Sequence, residues 1–228
     1  MKQYLYDGHV HTSEVSPCGK VPAQEMTQRY KEAGYSGIVV TDHYYDGYFQ
    51  TLTGSWDKQV DAYLAGYRAA KAVGDRIGLH VLLGLELRFA GSPEDYLIYG
   101  IHEEFLRTYP RLYEYTLVSF YDLVKDMDIL IIQAHPFRPG LKVAEPDLLH
   151  GVEVYNGNPR HDSRNDLAFE YGERHGLIMT ASSDAHQYGD IASGGMYFSK
   201  LVQSADELVH LLKEHPRPMI KKKEKEAS

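Results

Sequence analysis

The chain has 228 residues, enough for one sizeable domain, and its 43% hydrophobic and 25% charged content is that of a globular protein, not a disordered or fibrous one. Lys and Arg number 24 against 32 Asp and Glu, a formal charge of −8 that argues against a surface built to coat nucleic acid, so no long nucleic acid is expected as a partner. With no window of about 18 apolar residues, no signal-like amino terminus and Cys18 as the only cysteine, the expectations are a cytoplasmic location, no membrane partner and no internal disulfide.

A first strand runs from Tyr4 towards His9 and His11. Pro22 opens a helix reaching Ala33, Gly34 stops it, and Gly37 to Val40 follows as a second strand. From Asp57, Val60, Tyr63, Leu64 and Tyr67 recur at helical spacing up to Gly74, and Leu79 to Leu87 reads as a buried third strand. Asp95 to Ile101 is a fourth, residues 111–125 are a helix, and Asp128 to Gln133 is a strongly apolar fifth. Gly151 to Tyr155 is the sixth, Leu167, Ala168 and Tyr171 share a helical face before Gly176, and Leu177 to Ala181 is the seventh. Ser204 and Glu207 form a capping box for a last helix through Leu208, Leu211 and Leu212. Residues 1–220 are expected to be one domain and residues 221–228 a charged, mobile tail.

Alternating strands and helices imply right-handed crossovers and a parallel sheet, either open and doubly wound or closed as a barrel. The chemistry favours an α/β fold of the barrel type, because candidate ligands follow six of the seven strands and a barrel gathers strand ends around one mouth.

His9 and His11 are two apart on a strand, so both imidazoles face one side and can reach one ion, with Asp7 able to orient an imidazole or cap the turn. Asp42 and His43 end the second strand. Glu86 lies inside Leu-Leu-Gly-Leu-Glu-Leu, where a carboxylate is costly unless paired with a metal or with a cation such as Arg88. His102 follows the fourth strand, His135 the fifth, and Asp184 and His186 repeat the same-face spacing after the seventh. Six histidines and two carboxylates are nitrogen and oxygen donors suited to zinc, manganese or iron better than to calcium, and their number exceeds the needs of one ion. Two or three divalent ions are therefore expected, with open positions for chemistry.

In order, His9-Val-His11-Thr12, Thr41-Asp42-His43, Gly84-Leu-Glu86, Ala134-His135-Pro136 and Ser183-Asp184-Ala-His186 resemble the motifs of the PHP (polymerase and histidinol phosphatase) superfamily of metal-dependent phosphoesterases. The resemblance implies a distorted (β/α)7 barrel and a three-metal site. Carried over by position, it assigns His9, His11, Glu86 and Asp184 to one ion, Glu86, His102 and His135 to a second, and His43 and His186 to a third. One departure stands out: where histidinol phosphatase-like members often have a further histidine, this chain reads Ser13-Glu14-Val15-Ser16-Pro17-Cys18, leaving Glu14 or Cys18 as substitutes.

Clustered ions ionise water at neutral pH and neutralise phosphate oxygens. The activity expected is histidinol-phosphatase-like hydrolysis of a small phosphorylated metabolite or nucleotide by a hydroxide shared between ions, with Arg138 and Arg160 on the phosphate. The alternatives are a metal-dependent amidohydrolase and a non-catalytic binding module that retains the barrel.

Overall fold

Strand and helix alternate along the chain as the apolar periodicity requires. The computed structural model describes residues 2–223. β1 (Tyr4–Val10), α1 (Ala23–Glu32), β2 (Gly37–Val40) and β3 (His43–Tyr44) lead into three helices, α2 (Asp46–Phe49), α3 (Trp56–Tyr63) and α4 (Ala65–Ile77). β4 (His80–Leu83), β5 (Leu85–Arg88) and β6 (Asp95–Tyr99) follow, then α5 (Glu103–Thr108), α6 (Leu117–Val124) and β7 (Leu130–Gln133). The remainder comprises β8 (Gly151–Asn156), α7 (Asn165–His175), β9 (Ile178–Ser182), β10 (Gly194–Phe198), α8 (Ala205–Glu214) and β11 (Met219–Lys222). The helix expected over 111–125 starts later, because Thr116 accepts the Ser119 amide and the Ser119 hydroxyl accepts the Thr116 amide, a reciprocal cap that fixes Leu117 as the first helical residue.

The strands pair in the orders β11-β10-β1-β2-β4 and β3-β5-β6-β7-β8-β9. These are two parts of one distorted (β/α)7 barrel, because two staves are interrupted midway: β2 continues into β3 past Thr41 and Asp42, and β4 into β5 past Gly84. The circuit closes between β9 and β1, where Val10 bridges Ala185 and the His11 amide donates to the Ala185 carbonyl at 3.0 Å.

Burial follows the period of two. Tyr6, Val39, Leu82, Leu97, Ile132 and Ala181 form one buried cluster inside the barrel, closed at one end by Leu208, Leu211 and Leu212 of α8. Their neighbours Ile38, Val40 and Val81 pack outward on Met26 and Tyr30 of α1. Leu85, Leu87, Val152 and Val154 belong to the outer cluster with Val60, Phe120 and Val124. Alternation therefore turns Glu86 and Glu153 inward, each between two outward residues. A register shift between Asp7 and Val10 works with this pattern: the bulge changes the facing of β1, so that Tyr6 and both His9 and His11 point into the barrel.

The expectation of a wholly parallel sheet needs correction, since β6 runs antiparallel to both β5 and β7. The link of residues 89–94 is too short for a crossover helix, so the chain turns back as a hairpin. Polarity is thereby inverted in one stave, and Asp95, not the residues after Tyr99, stands at the mouth. β10 and β11 lie outside the seven staves, and β11 takes in Lys221 and Lys222, assigned from sequence to the tail; residues 224–228 of that tail lie outside the described residues. Among the described residues no helix is long and apolar enough to cross a membrane.

Gly84 allows the kink that carries Glu86 inward. A Cβ there would meet Val39 Cγ1 and Thr41 Cγ2 at 2.9 Å, both on stiff β-branched side chains. Gly84→Ala should cost about 1–3 kcal/mol through overpacking; a urea midpoint equal to that of the parent would contradict this packing.

Candidate metal centre

Four buried imidazoles surround one buried carboxylate. His9 and His11 come from the bulged end of β1, His43 from β3, His135 from the residues after β7, and Glu86 from β5. Glu86 Oε1 lies 3.2 Å from His9 Nε2 and 3.1 Å from His135 Nε2, while Oε2 lies 3.3 Å from His11 Nε2 and 2.6 Å from His43 Nδ1. Asp184 enters from beyond β9 with Oδ1 at 3.5 Å from both His9 Nε2 and His11 Nε2. His135 and Asp184 both have positive φ, 31° and 50°, in the left-handed region that non-glycine residues rarely occupy; such strain concentrates at functional sites.

Side-chain partners decide which ring nitrogens are free. Glu153 Oε1 is 3.1 Å from His9 Nδ1, so that nitrogen keeps its proton and Nε2 is the nitrogen left for a metal once its own proton is lost. Ser16 Oγ donates to Asp42 at 2.7 Å and accepts from His11 Nδ1 at 3.0 Å, which frees His11 Nε2 in the same way. His186 Nδ1 donates to the Asp184 carbonyl at 3.0 Å, His43 Nδ1 is ion-paired with Glu86, and the two Nε2 atoms lie 3.5 Å apart. His9 Nε2, His11 Nε2, Glu86 Oε2 and His135 Nδ1 are buried without a hydrogen-bond partner. Orphaned polar atoms gathered in a dry site are the arrangement a cation would satisfy.

Three overlapping groups have ligand atoms within 4.8 Å of one another: His9, His11 and Glu86; His43, Glu86 and Asp95; and His11, His43 and His186. Imidazole nitrogen and carboxylate oxygen in this mixture fit divalent transition ions. Electrostatics agree. Burial lifts the Glu86 carboxyl, yet the charges of His9 and His43 hold it well below the ordinary range. Burial would lower His9 and His43, but the carboxylates outweigh it and hold both well above 6.5. His11, buried and next to the charges of His186 and His43, is driven well below 6.5 and stays neutral.

The family model of the PHP domain matches residues 7–215. The chain belongs to the PHP domain family. No curated protein matches the sequence significantly. Among solved structures, PsfC from Pseudomonas syringae is 18% identical with a TM-score of 0.65, over 92% of this chain and 88% of its own. A two-domain protein from Bacteroides vulgatus described as containing a predicted PHP-like metal-dependent phosphoesterase is 17% identical with a TM-score of 0.67, over 97% of this chain and 65% of that one. An amidohydrolase from Chromobacterium violaceum with bound sulfate and no metal is 14% identical with a TM-score of 0.51, over 90% and 95%. These likenesses show the fold.

Of the eight ligands expected from sequence, this PHP domain gathers seven. His102 stands apart: it precedes α5, its Nε2 pairs with Asp206 at 2.9 Å, and its side chain is 59% exposed. Antiparallel β6 is the cause, since the end of that strand leads away from the mouth. Its first residue, Asp95, is at the mouth instead, buried and 3.9 Å from His135 Nε2.

Other sequence assignments also change. Arg88 does not neutralise Glu86 but grips both oxygens of Asp95 at 2.7 and 2.8 Å. The carboxylate orienting an imidazole is Glu153, whereas Asp7 accepts from the His9 amide, Tyr30 and Ser183. Glu14 accepts from the Ala23 amide at the start of α1, away from the cluster. Cys18, His43 and His186 all line the mouth. Burial pushes the Cys18 thiol up, but the imidazoles of His186 and His43 bring it down to about 6. Arg138 and Arg160 line the mouth as well, Arg138 Nη2 bonding Asp184 at 2.9 Å and Arg160 Nη1 bonding Asp190 at 2.5 Å. Glu153, missed from sequence, also accepts from the His135 amide at 2.9 Å and from Asn156 Nδ2 at 2.9 Å. Its signal was present: a carboxylate between two valines, as informative as Glu86 between two leucines.

Two outcomes follow. Glu153→Gln removes the charge that fixes the His9 tautomer, so divalent-ion affinity measured against a chromophoric chelator should fall about 10- to 100-fold; unchanged affinity would contradict the role given to Glu153. An imidazolium has no lone pair to offer a metal, and His9, His43 and His186, the last raised to about 9 by Asp184 and Cys18 against the pull of burial, hold protons in the metal-free protein. Metal uptake should therefore strengthen as pH rises from 6 towards about 9 and release protons, countable by calorimetry in buffers of different ionisation enthalpy. Uptake that weakens over this range would contradict the sign.

Proposed function

We propose that this PHP domain is a metal-dependent phosphoesterase acting on a small phosphorylated metabolite or nucleotide, in the manner of the histidinol phosphatase-like members. The observation that carries the reading is a cavity of about 230 Å³ over the buried cluster, lined by Arg88, Arg138 and Arg160 together with His135, His161 and Asp184. Three guanidiniums above a carboxylate-rich floor suit an anion with several equivalent oxygens, because each planar fork offers paired donors.

Divalent ions held by His9, His11, Glu86, Asp184, His43, His135 and His186, with Asp95 as a further donor, would supply an ionised water at neutral pH and screen the phosphate charge. The chain's own groups do the rest. Arg138 and Arg160 orient phosphate oxygens from one side, and their carboxylate partners Asp184 and Asp190 keep both forks aimed at the mouth. Asn158, which donates to the Asp184 carbonyl at 3.0 Å, and His161 border the same cavity. A second groove of about 780 Å³ begins at these two residues and runs to Lys222 and Lys223, giving room for the remainder of a small substrate.

A second reading, attack on a carbonyl carbon, is favoured by the likeness to the Chromobacterium violaceum amidohydrolase. Competitive inhibition by inorganic phosphate is the outcome that would favour the phosphoesterase over this reading.

A panel of phosphomonoesters and short diesters assayed with added manganese or zinc should show chelator-sensitive phosphate release, and Arg138→Ala should lose about 10² or more in kcat/KM, as removal of one charge-stabilising donor does. Absence of release across the panel from a protein shown to carry its ions would overturn the reading.

A further inference from the structure

We propose that the groove beyond the metal mouth is a carboxylate-binding site, so that the favoured substrate is a phosphomonoester whose organic part carries a carboxylate. The proposal rests on the phosphoesterase reading above and adds to it the chemistry of the leaving group.

Groove and mouth are continuous. Asn158 and His161 line both, and Asn158 Nδ2 reaches back to the Asp184 carbonyl at 3.0 Å. The far end of the groove is built from the start of α7 and from the end of β11, the strand added outside the seven staves. There the Lys223 amide donates to the Tyr155 hydroxyl at 2.9 Å, and the Lys222 ammonium stands 5.8 Å from the centre of the same ring. Both lysines are thereby held beside the groove they line, which gives β11 a task that barrel closure does not.

The eleven residues of α7 begin here without a side-chain cap. First-turn amides have no acceptor within a helix, and with the helix dipole they favour an anion. Arg164, at the capping position, has only donors on its side chain and cannot satisfy them. The side chain of Asn165, the next residue, is committed to Asn156, accepting from its amide at 3.0 Å and donating to its carbonyl at 3.1 Å.

An independent observation points to a ligand. Ser163 lines the groove and is 4% exposed, and its hydroxyl is buried with no hydrogen-bond partner among the described residues. A buried hydroxyl left unpaired carries a free-energy cost that a bound acceptor removes. One unpaired O–H next to uncapped amides and two ammonium groups calls for an oxygen anion.

Charge decides which one. Arg164, Lys222 and Lys223 line the groove together with Asp162 and Asp166, an excess of one positive charge, and Asp162 Oδ2 lies 3.9 Å from Arg164 Nε. That excess matches a monoanion. A second phosphate, with close to two charges, would meet two aspartates with too little cation to offset it. The phosphate belongs at the other end, where Arg88, Arg138 and Arg160 line the mouth.

The test uses phosphomonoesters of ω-hydroxy carboxylic acids of increasing chain length, each beside the monophosphate of the matching diol, which ends in a neutral hydroxyl, and beside the α,ω-bisphosphate. For the metal-loaded full-length protein kcat/KM is measured on each, and dissociation constants of the corresponding non-hydrolysable phosphonates are measured by calorimetry. At one chain length the carboxylate should exceed its neutral match by about 10-fold or more, chiefly through KM, as charge-assisted hydrogen bonds imply. That ratio, taken within each variant, should fall towards one in Ser163→Ala and in the double variant Lys222→Ala/Lys223→Ala, and persist in Lys222→Arg/Lys223→Arg. Ser163→Ala should keep the urea midpoint of the parent, because its hydroxyl has no partner to lose in the unliganded protein; a lower midpoint with an unchanged ratio would overturn the role given to Ser163. Hydrolysis without a preference for the carboxylate, or with the bisphosphates preferred, would overturn the carboxylate site and leave the phosphoesterase standing. No hydrolysis, with carboxylate-bearing phosphonates still bound more tightly than neutral ones, would uphold the site and count against the reaction alone, whereas no binding of any member would overturn both.

Discussion

Glu86 carries a negative charge inside a barrel, and the surrounding architecture answers that constraint. A buried carboxylate without compensating positive charge would neutralise or force water into the core. Here it is ringed by imidazoles from β1, β3 and the β7 exit, of which His9 and His11 are held through Nδ1 by Glu153 and Ser16 so that Nε2 is turned toward shared space. His43 is ion-paired with Glu86 through Nδ1 and turns Nε2 to His186. With protons alone the cluster is a compromise between competing charges. Divalent ions would give partners to the orphaned Nε2 atoms of His9 and His11 and to Glu86.

The geometry needed for this is produced by departures from regular barrel construction. A bulge in β1 turns both histidines inward, Gly84 breaks a stave so that Glu86 can reach the axis, and antiparallel β6 brings Asp95 to the mouth. Positive φ at His135 and Asp184 shows that the backbone accepts strain where the ligands sit. Stability comes from elsewhere: the apolar layers formed by Tyr6, Val39, Leu82 and Ile132 and the plug of α8 lie below the site and tolerate irregularity above it.

Much of this was legible in the sequence because the two relevant periods are short. Short continuous apolar runs mark β2, β4 and β7 as buried strands, and the spacing of two at His9 and His11 is visible without any alignment. His102 failed because strand direction is not encoded in apolar alternation; the clue was the absence of a helix-length segment between Leu87 and Asp95, which forbids a parallel crossover. Glu153 was overlooked although its valine neighbours give the same desolvation signal as those of Glu86. The roles of Asp7, Asp42 and Ser16 were not legible, because a hydroxyl or carboxylate that bonds loop amides looks, in sequence, like one that binds a ligand. β10 and β11 close the outside of the barrel through partners distant in sequence, and no local pattern announces that pairing.

The most direct test of the central claim is crystallographic: anomalous scattering recorded above and below the absorption edge of the ion loaded into the full-length protein. The account predicts anomalous peaks at coordinating distance, about 2.0–2.2 Å, from Glu86 oxygens and from Nε2 of His9 and His11. A loaded crystal whose anomalous peaks all lie away from Glu86, with these imidazoles still partnerless around it, would contradict it.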